Sequence, residues 1–247
     1  MVTALDDGIG RILRAVAEEG IAENTLVVFL SDNGGALPFG ADNSPWRGGK
    51  GQLYEGGVRV PAAMHWPAGG LVGGRSIAGR VGYIDLLPTL AMIAGAPIPE
   101  SVDGSDLSPL LFEDRTLEPR DWYALKGAKG LELIAVTSGS WKLIHFGESA
   151  ALDEHPTGKI ELYNLASDPG ETTDLVEQHP KIVKELFLKV HKFRLMAPSA
   201  ATADFYDGAP QQTRDFHALF SQGKAPDDLN DAIPGVEAPV QWRIPSL

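Results

Sequence analysis

The 247-residue chain contains no cysteine. Disulfides, thiolate metal sites and cysteine nucleophiles are therefore excluded within it. Basic residues are few beside the acidic ones: 21 Lys and Arg against 33 Asp and Glu give a formal net charge of −12. A nucleic-acid surface needs a basic stripe to displace phosphate counterions, and no such stripe runs along this chain. Nor does any stretch approach the roughly 18 consecutive apolar residues of a membrane span. The opening Met1-Val2-Thr3-Ala4-Leu5-Asp6 follows an amphipathic helix pattern, not the basic-then-apolar order of a signal peptide. As it stands, the chain is expected in the cytoplasm.

What is present is an ordinary globular composition, 43% hydrophobic and 22% charged, enough for one large domain or one domain with a smaller appendage. Leu5, Ile9, Ile12, Leu13 and Val16 recur at helical spacing before Gly20. Thr25–Leu30 is a continuously apolar, β-rich run that reads as a strand buried on both faces. A Gly- and Pro-rich loop spans Gly34 to Gly57, too long for a mere connection. Val58–Trp66 reads as another strand, and Ile84–Ile93 as a helix with Asp85 at its positive end and Gly95 after it. Leu131–Thr137 and Trp141–Phe146 form a hairpin around Ser138-Gly139-Ser140, Ile160–Tyr163 adds a strand, and Lys181–Leu195 forms an amphipathic helix. The layout predicts an α/β sheet with flanking helices, then a small antiparallel sheet with a packed helix. Domain bounds are placed at 1–120, 121–196 and 197–247, the last an extended tail.

Two motifs carry chemistry. Ser31-Asp32-Asn33-Gly34-Gly35 directly follows the first strand, and α/β folds place ligands at the carboxyl ends of strands. Asp32 offers a carboxylate and Asn33 an amide carbonyl, hard oxygen donors suited to Ca²⁺ or Mg²⁺. The same residue types are also the commonest turn formers, and spacing alone favours the turn. The second motif is Pro45-Trp46-Arg47-Gly48-Gly49-Lys50-Gly51-Gln52-Leu53-Tyr54-Glu55-Gly56-Gly57. Its glycines let backbone N–H groups approach a ligand, and Lys50 sits among them between Arg47 and Arg59, chemistry suited to a tetrahedral oxyanion. It lacks the spacer and Lys-Ser/Thr ending of a phosphate-binding P-loop. A flexible loop with a solvated lysine is the plainer alternative.

Taken together, and in order, these motifs resemble the type I sulfatases of the alkaline phosphatase superfamily. The resemblance extends through Trp66-Pro67, Asp85-Leu86-Leu87-Pro88-Thr89-Leu90, Asp103-Gly104, Trp141-Lys142-Leu143-Ile144, and Glu161-Leu162-Tyr163-Asn164-Leu165 with Asp168-Pro169 and Glu171. It covers about residues 1 to 195 and corresponds to the carboxy-terminal half of that family. It implies an alkaline-phosphatase-like fold and hydrolysis of sulfate or phosphate esters, on small molecules or sulfated glycans. It also implies Asp32 and Asn33 as ligands of a divalent metal, usually Ca²⁺, and Lys50 as the lysine that contacts the sulfate group.

The family's amino-terminal Cys/Ser-x-Pro-x-Arg signature, whose first residue becomes the formylglycine nucleophile, is absent. Ser44-Pro45-Trp46-Arg47 has the wrong spacing, and Asp6-Asp7 reads as a solvated helix face. Three readings follow: a shortened ester hydrolase, a non-catalytic remnant or assembly domain, and one half of a split sulfatase completed by a separate amino-terminal chain. Two oxygen donors are few for Ca²⁺, so binding by the chain alone is expected to be weak. A strand whose neighbours lie partly in the other half leaves an open edge, from which a homo-oligomer is expected. Among the histidines, His65 reads as a core residue, His145 and His155 as surface residues beside Asp153 and Glu154, and His179, His191 and His217 as having no motif around them.

Overall fold

The computed structural model describes residues 2–128, 131–147 and 158–196. The expected tail after 197, His217, and the acidic loop with Asp153, Glu154 and His155 lie outside the described residues. In chain order the elements are α1 (Val2–Glu18), β1 (Val27–Leu30), α2 (Glu55–Val58), β2 (Ala62–His65), α3 (Leu86–Ile93), α4 (Ser108–Phe112), β3 (Trp122–Ala128), β4 (Leu131–Ser138), β5 (Trp141–Gly147), β6 (Lys159–Asn164) and α5 (Pro180–Leu195). They fall into two compact units, one of residues 1–30 and 61–119, the other of 31–60 and 120 onward.

In the first unit β1 pairs antiparallel with β2, Val27 opposite His65 and Leu30 opposite Ala62. The expected burial on both faces is not met. Phe29 is 44% exposed and Leu30 38%. A continuous apolar run records the wish to be covered on two sides, but the described residues supply one neighbouring strand and no flanking layer over these positions. His65 is exposed for the same reason, not a core histidine. Helix α1 buries none of its residues, and Asp6 and Asp7 are exposed as expected.

The polar centre of this unit is Asp85. Its side chain is fully buried and accepts hydrogen bonds from the N–H groups of Gly82 (2.9 Å) and Ser105 (2.8 Å). Thr89 Oγ1, one turn along α3, donates to the Asp85 carbonyl (2.6 Å) and accepts from Leu107 N–H (2.9 Å). The network satisfies the Gly82 N–H ahead of α3 and fixes the segment of Ser105 and Leu107 beside it. Leu107, Leu111 and Leu71 form the adjoining apolar cluster, with Met64 and Trp66 against it.

The second unit is built on the four-stranded antiparallel sheet β3-β4-β5-β6. Its hairpin is the expected one: Ser138 pairs with Trp141 across a two-residue turn in which Gly139 has φ +56, a conformation open to glycine at no steric cost. Alternation along the strands then sorts side chains onto two faces. Ile134, Val136, Leu143 and Leu162 pack against Leu186 and Val190 of α5. Burying each such side chain contributes about 1.5–3 kcal/mol. Helix α5 begins with Pro180 at its first position, ends with Lys192 and Arg194 in its last turn, and turns its expected apolar stripe to the sheet. His145, expected at the surface, is 4% exposed, because its place on β5 faces α5, where Phe187 meets it edge-on at 5.4 Å.

The opposite face is covered not by a helix but by the glycine-rich loop. Ala135, Ile144 and Tyr163 pack against Leu53, with Tyr54 beside them. The sheet therefore lies between α5 and the loop that carries Lys50. No described helix is long and apolar enough to cross a membrane.

Candidate functional site

The turn Ser31–Gly35 leaves β1 and is stapled to the Lys50 loop first by backbone bonds. Lys50 N–H donates to the Gly35 carbonyl (3.1 Å), and Gly34 N–H donates to the Gly57 carbonyl (2.9 Å). Asn43 stitches the two from the side: Gly35 N–H donates to its Oδ1 (2.8 Å), while its Nδ2 donates to the carbonyls of Gly35 (2.9 Å) and Gly48 (3.0 Å). Asp32 is exposed, Asn33 half-buried and Lys50 exposed. The three candidate residues thus sit on two adjoining loops, Lys50 lying 18 positions after Asp32 and 17 after Asn33, closed onto each other by these bonds.

The glycines serve a different purpose from the one expected of them. Gly56 N–H is spent on the Arg47 carbonyl (2.7 Å), Gly57 N–H on the Tyr54 carbonyl (2.8 Å), and Gly49 N–H on Gln52 Oε1 (3.0 Å). A Cβ on Gly34 would lie 1.7 Å from the Gly56 carbonyl oxygen. These positions let backbone pack on backbone; those three N–H groups do not face a ligand.

The flanking arginines are also occupied. Arg47 Nη1 donates to Tyr163 Oη (2.8 Å) and to the Glu171 carbonyl (2.9 Å), and its guanidinium lies 4.0 Å over the Tyr54 ring. Arg59 lies 4.0 Å over the Trp46 ring and 3.9 Å from Glu55. Both are held by cation–π contact and local pairing, which fixes the shape of the loop.

Beneath the loop is an ionic cluster that the spacing of residues did not announce. Lys142, 1% exposed, places Nζ 2.9 Å from Glu55 Oε1 and 2.8 Å from Glu171 Oε1. The first contact is a hydrogen bond and the second an ion pair without hydrogen-bond alignment. Glu171, fully buried and at φ +54, accepts Glu55 N–H on its other oxygen (2.6 Å). Burial pushes the Glu171 carboxyl above its ordinary pKa, and the attraction of Lys142 does not cancel it. Nearby, Tyr54 and Tyr163 both donate to Glu161 Oε2 at 2.8 Å. Burial, then the hydrogen bond to Glu161 and its charge, pushes both phenols upward. Burial pulls Glu161 up as well, but the bonds from Lys159 and the two phenols outweigh it and hold its pKa below the ordinary value. Lys142, Glu161, Tyr163 and Glu171 stood in the sequence only as parts of the family resemblance, with no role attached to them.

A mixed α/β chain with this sheet, helix and loop arrangement superposes on solved sulfatases and fits an alkaline-phosphatase-like fold. The crystal structure of Ps i-CgsB matches with a TM-score of 0.71 and 28% identity, covering 91% of this chain and 49% of that one. It has also been solved in complex with k-i-k-neocarrahexaose. Residues 1–96 match the Sulfatase family model, and sulfatases are similar to the chain over about 72% of its length. Human arylsulfatase A is 35% identical over 192 residues, which are 70% of this chain and 37% of the relative. The N-acetylgalactosamine-6-O-sulfatase of Bacteroides thetaiotaomicron is 29% identical over 211 residues, 75% of this chain and 39% of the relative. The chain spans well under half the length of these curated relatives.

The family implies a divalent metal. Asp32 and the Asn33 side chain fit a hard cation in donor type, and the Asn33 backbone carbonyl is already taken by Ser31 Oγ (2.9 Å). Donor number is incomplete: among the described residues no group of three or more His, Asp or Glu side chains is placed to hold a metal ion.

Proposed function

We propose that the chain forms the leaving-group side of a sulfatase site, acting on sulfate esters such as those of sulfated glycans. The observation that supports this most directly is the Lys50 N–H bond to the Gly35 carbonyl, which joins the Lys50 loop to the Asp32-Asn33 turn. Hydrolysis replaces the ester S–O bond with an S–O bond from water, and negative charge grows on the departing alcohol oxygen. Lys50 Nζ supplies a fixed positive charge there, and Asp32 and Asn33 supply two oxygen donors to the cation, Ca²⁺ in this reading. When bound, such a cation neutralises charge on the sulfate oxygens. A nucleophile is needed as well, and the 247 residues contain neither Cys-x-Pro-x-Arg nor Ser-x-Pro-x-Arg. It comes from residues outside this sequence, in the same polypeptide or a separate one. The exposed apolar residues Leu5, Ile12, Phe29 and Leu30 support a covering partner in the working assembly, whether that segment or a second copy.

The test is calorimetric titration with inorganic sulfate in the presence of Ca²⁺, alongside assays on aryl sulfates and phosphate mono-, di- and triesters. Lys50→Ala is expected to weaken sulfate binding and to lower any ester hydrolysis about 10²-fold, the usual cost of losing one oxyanion contact. Asp32→Ala should remove a weak Ca²⁺ response. A folded Lys50→Ala protein with unchanged binding and turnover places the site elsewhere, and a preference for phosphate esters overturns the sulfate assignment.

A further inference from the structure

We propose that Glu171 is a positioning residue for Lys50, clamping both ends of its loop from beneath; this rests on the reading of Lys50 given above. The loop's first anchor is Arg47, whose guanidinium donates to the Glu171 carbonyl (2.9 Å). Its last anchor is Glu55, whose N–H donates to Glu171 Oε2 (2.6 Å). Beside these anchors the Arg47 carbonyl accepts Gly56 N–H (2.7 Å), closing residues 48–55 into a ring with Lys50 inside it. One residue therefore holds the entry and the exit of the loop at once.

Two further features make the clamp stiff. Glu171 is fully buried and sits at φ +54, a backbone conformation that a non-glycine residue keeps only where its surroundings enforce it. Lys142 holds the Glu171 carboxylate and the Glu55 carboxylate together, so the side chain that ends the loop is tied to the same carboxylate as its N–H. A lysine that stabilises developing charge must be held in place before the reaction, because reorienting it during the reaction would forfeit the gain. The glycines that let the loop fold on itself also leave it soft, and Glu171 replaces the stiffness that they remove.

Full-length Glu171→Ala, Glu171→Gln, Val190→Ala and Lys50→Ala proteins test this by amide hydrogen exchange and by titration with inorganic sulfate. Val190, 1% exposed between α5 and the sheet, controls for general destabilisation. Glu171→Ala should speed exchange at Lys50 and Gly56 and weaken sulfate binding, each about tenfold or more, as expected when a buried N–H loses its acceptor. Glu171→Gln, which keeps an oxygen for Glu55 N–H, should restore both to within about threefold. Val190→Ala should alter neither. Wild-type exchange and affinity in Glu171→Ala, or the same changes in Val190→Ala, overturn the clamp. If Lys50→Ala leaves sulfate binding intact, the functional reading of Lys50 fails, while the exchange at Gly56 still decides whether Glu171 holds the loop.

Discussion

Replacing Lys142 with Met removes the cation that bridges two buried carboxylates, leaving Glu55 only its 3.9 Å contact with the more exposed Arg59, while nearly preserving side-chain length. Glu171 is fully buried and Glu55 is 8% exposed, at 2.8 and 2.9 Å from Lys142 Nζ. Breaking a buried pair by deleting one partner costs about 3–5 kcal/mol, since the charge left behind is neither solvated nor paired. The pH dependence follows from Glu171. Burial already holds its folded pKa above the unfolded value, so its contribution is fully present at low pH and is lost as pH rises through the folded pKa. Without Lys142 that pKa rises further, and the lost stability grows from the ordinary carboxylate range up to neutrality. Urea unfolding followed by tryptophan fluorescence should therefore show a loss of about 3–5 kcal/mol at neutral pH that shrinks markedly near pH ~5, with unchanged m. Arg115→Ala, which removes an exposed pair with Glu113, should cost at most about 1 kcal/mol. A loss below about 1 kcal/mol for Lys142→Met at neutral pH, or an equal loss at both pH values, refutes the reasoning.

Two further outcomes are expected. Gly34→Ala should destabilise the second unit by about 1–3 kcal/mol or more and shift the amide resonances of Gly56 and Gly57, because its Cβ would fall 1.7 Å from the Gly56 oxygen; unchanged spectra would contradict that packing. Asp85→Ala should lower thermal stability by about 1–3 kcal/mol in all, because it deletes the buried carboxylate that accepts from the N–H groups of Gly82 and Ser105. Asp85→Asn, which keeps one oxygen, should fall between the two, as differential scanning calorimetry can read.

The hairpin β4–β5 and helix α5 were legible because each needs a single period and a recognisable turn or start: Gly139 for one, Pro180 for the other. Strand β3 was not, since Trp122-Tyr123-Ala124-Leu125 has no alternation. It lies at the edge of the sheet, where Leu125 is 52% exposed. Strand β1 was found but its burial was misjudged, because a run of apolar residues says nothing about which layers are there to cover it. Asp32, Asn33 and Lys50 stood out through local motifs, whereas the staples between their loops are backbone bonds and the Asn43 side chain, which no motif reveals. The Lys142–Glu55–Glu171 cluster joins residues 87 and 116 positions apart. Strand alternation alone would have sent Lys142 to solvent, and only a second covering layer on the sheet turns that face inward.

The same separations bear on how the chain is made. Arg47 leaves the ribosome 124 residues before the carbonyl that receives it, and 116 before the phenol of Tyr163. At the usual pace of about 5–20 residues per second, the Lys50 loop waits many seconds without the partners that give it shape. It cannot nucleate folding of its unit, whose local contacts lie in the later hairpin and α5. During synthesis the loop therefore takes its form last, against a sheet that is already built. A nascent chain halted between Val58 and Tyr163 would carry Asp32, Asn33 and Lys50 but neither the sheet face nor the Glu171 anchor on which their loop rests.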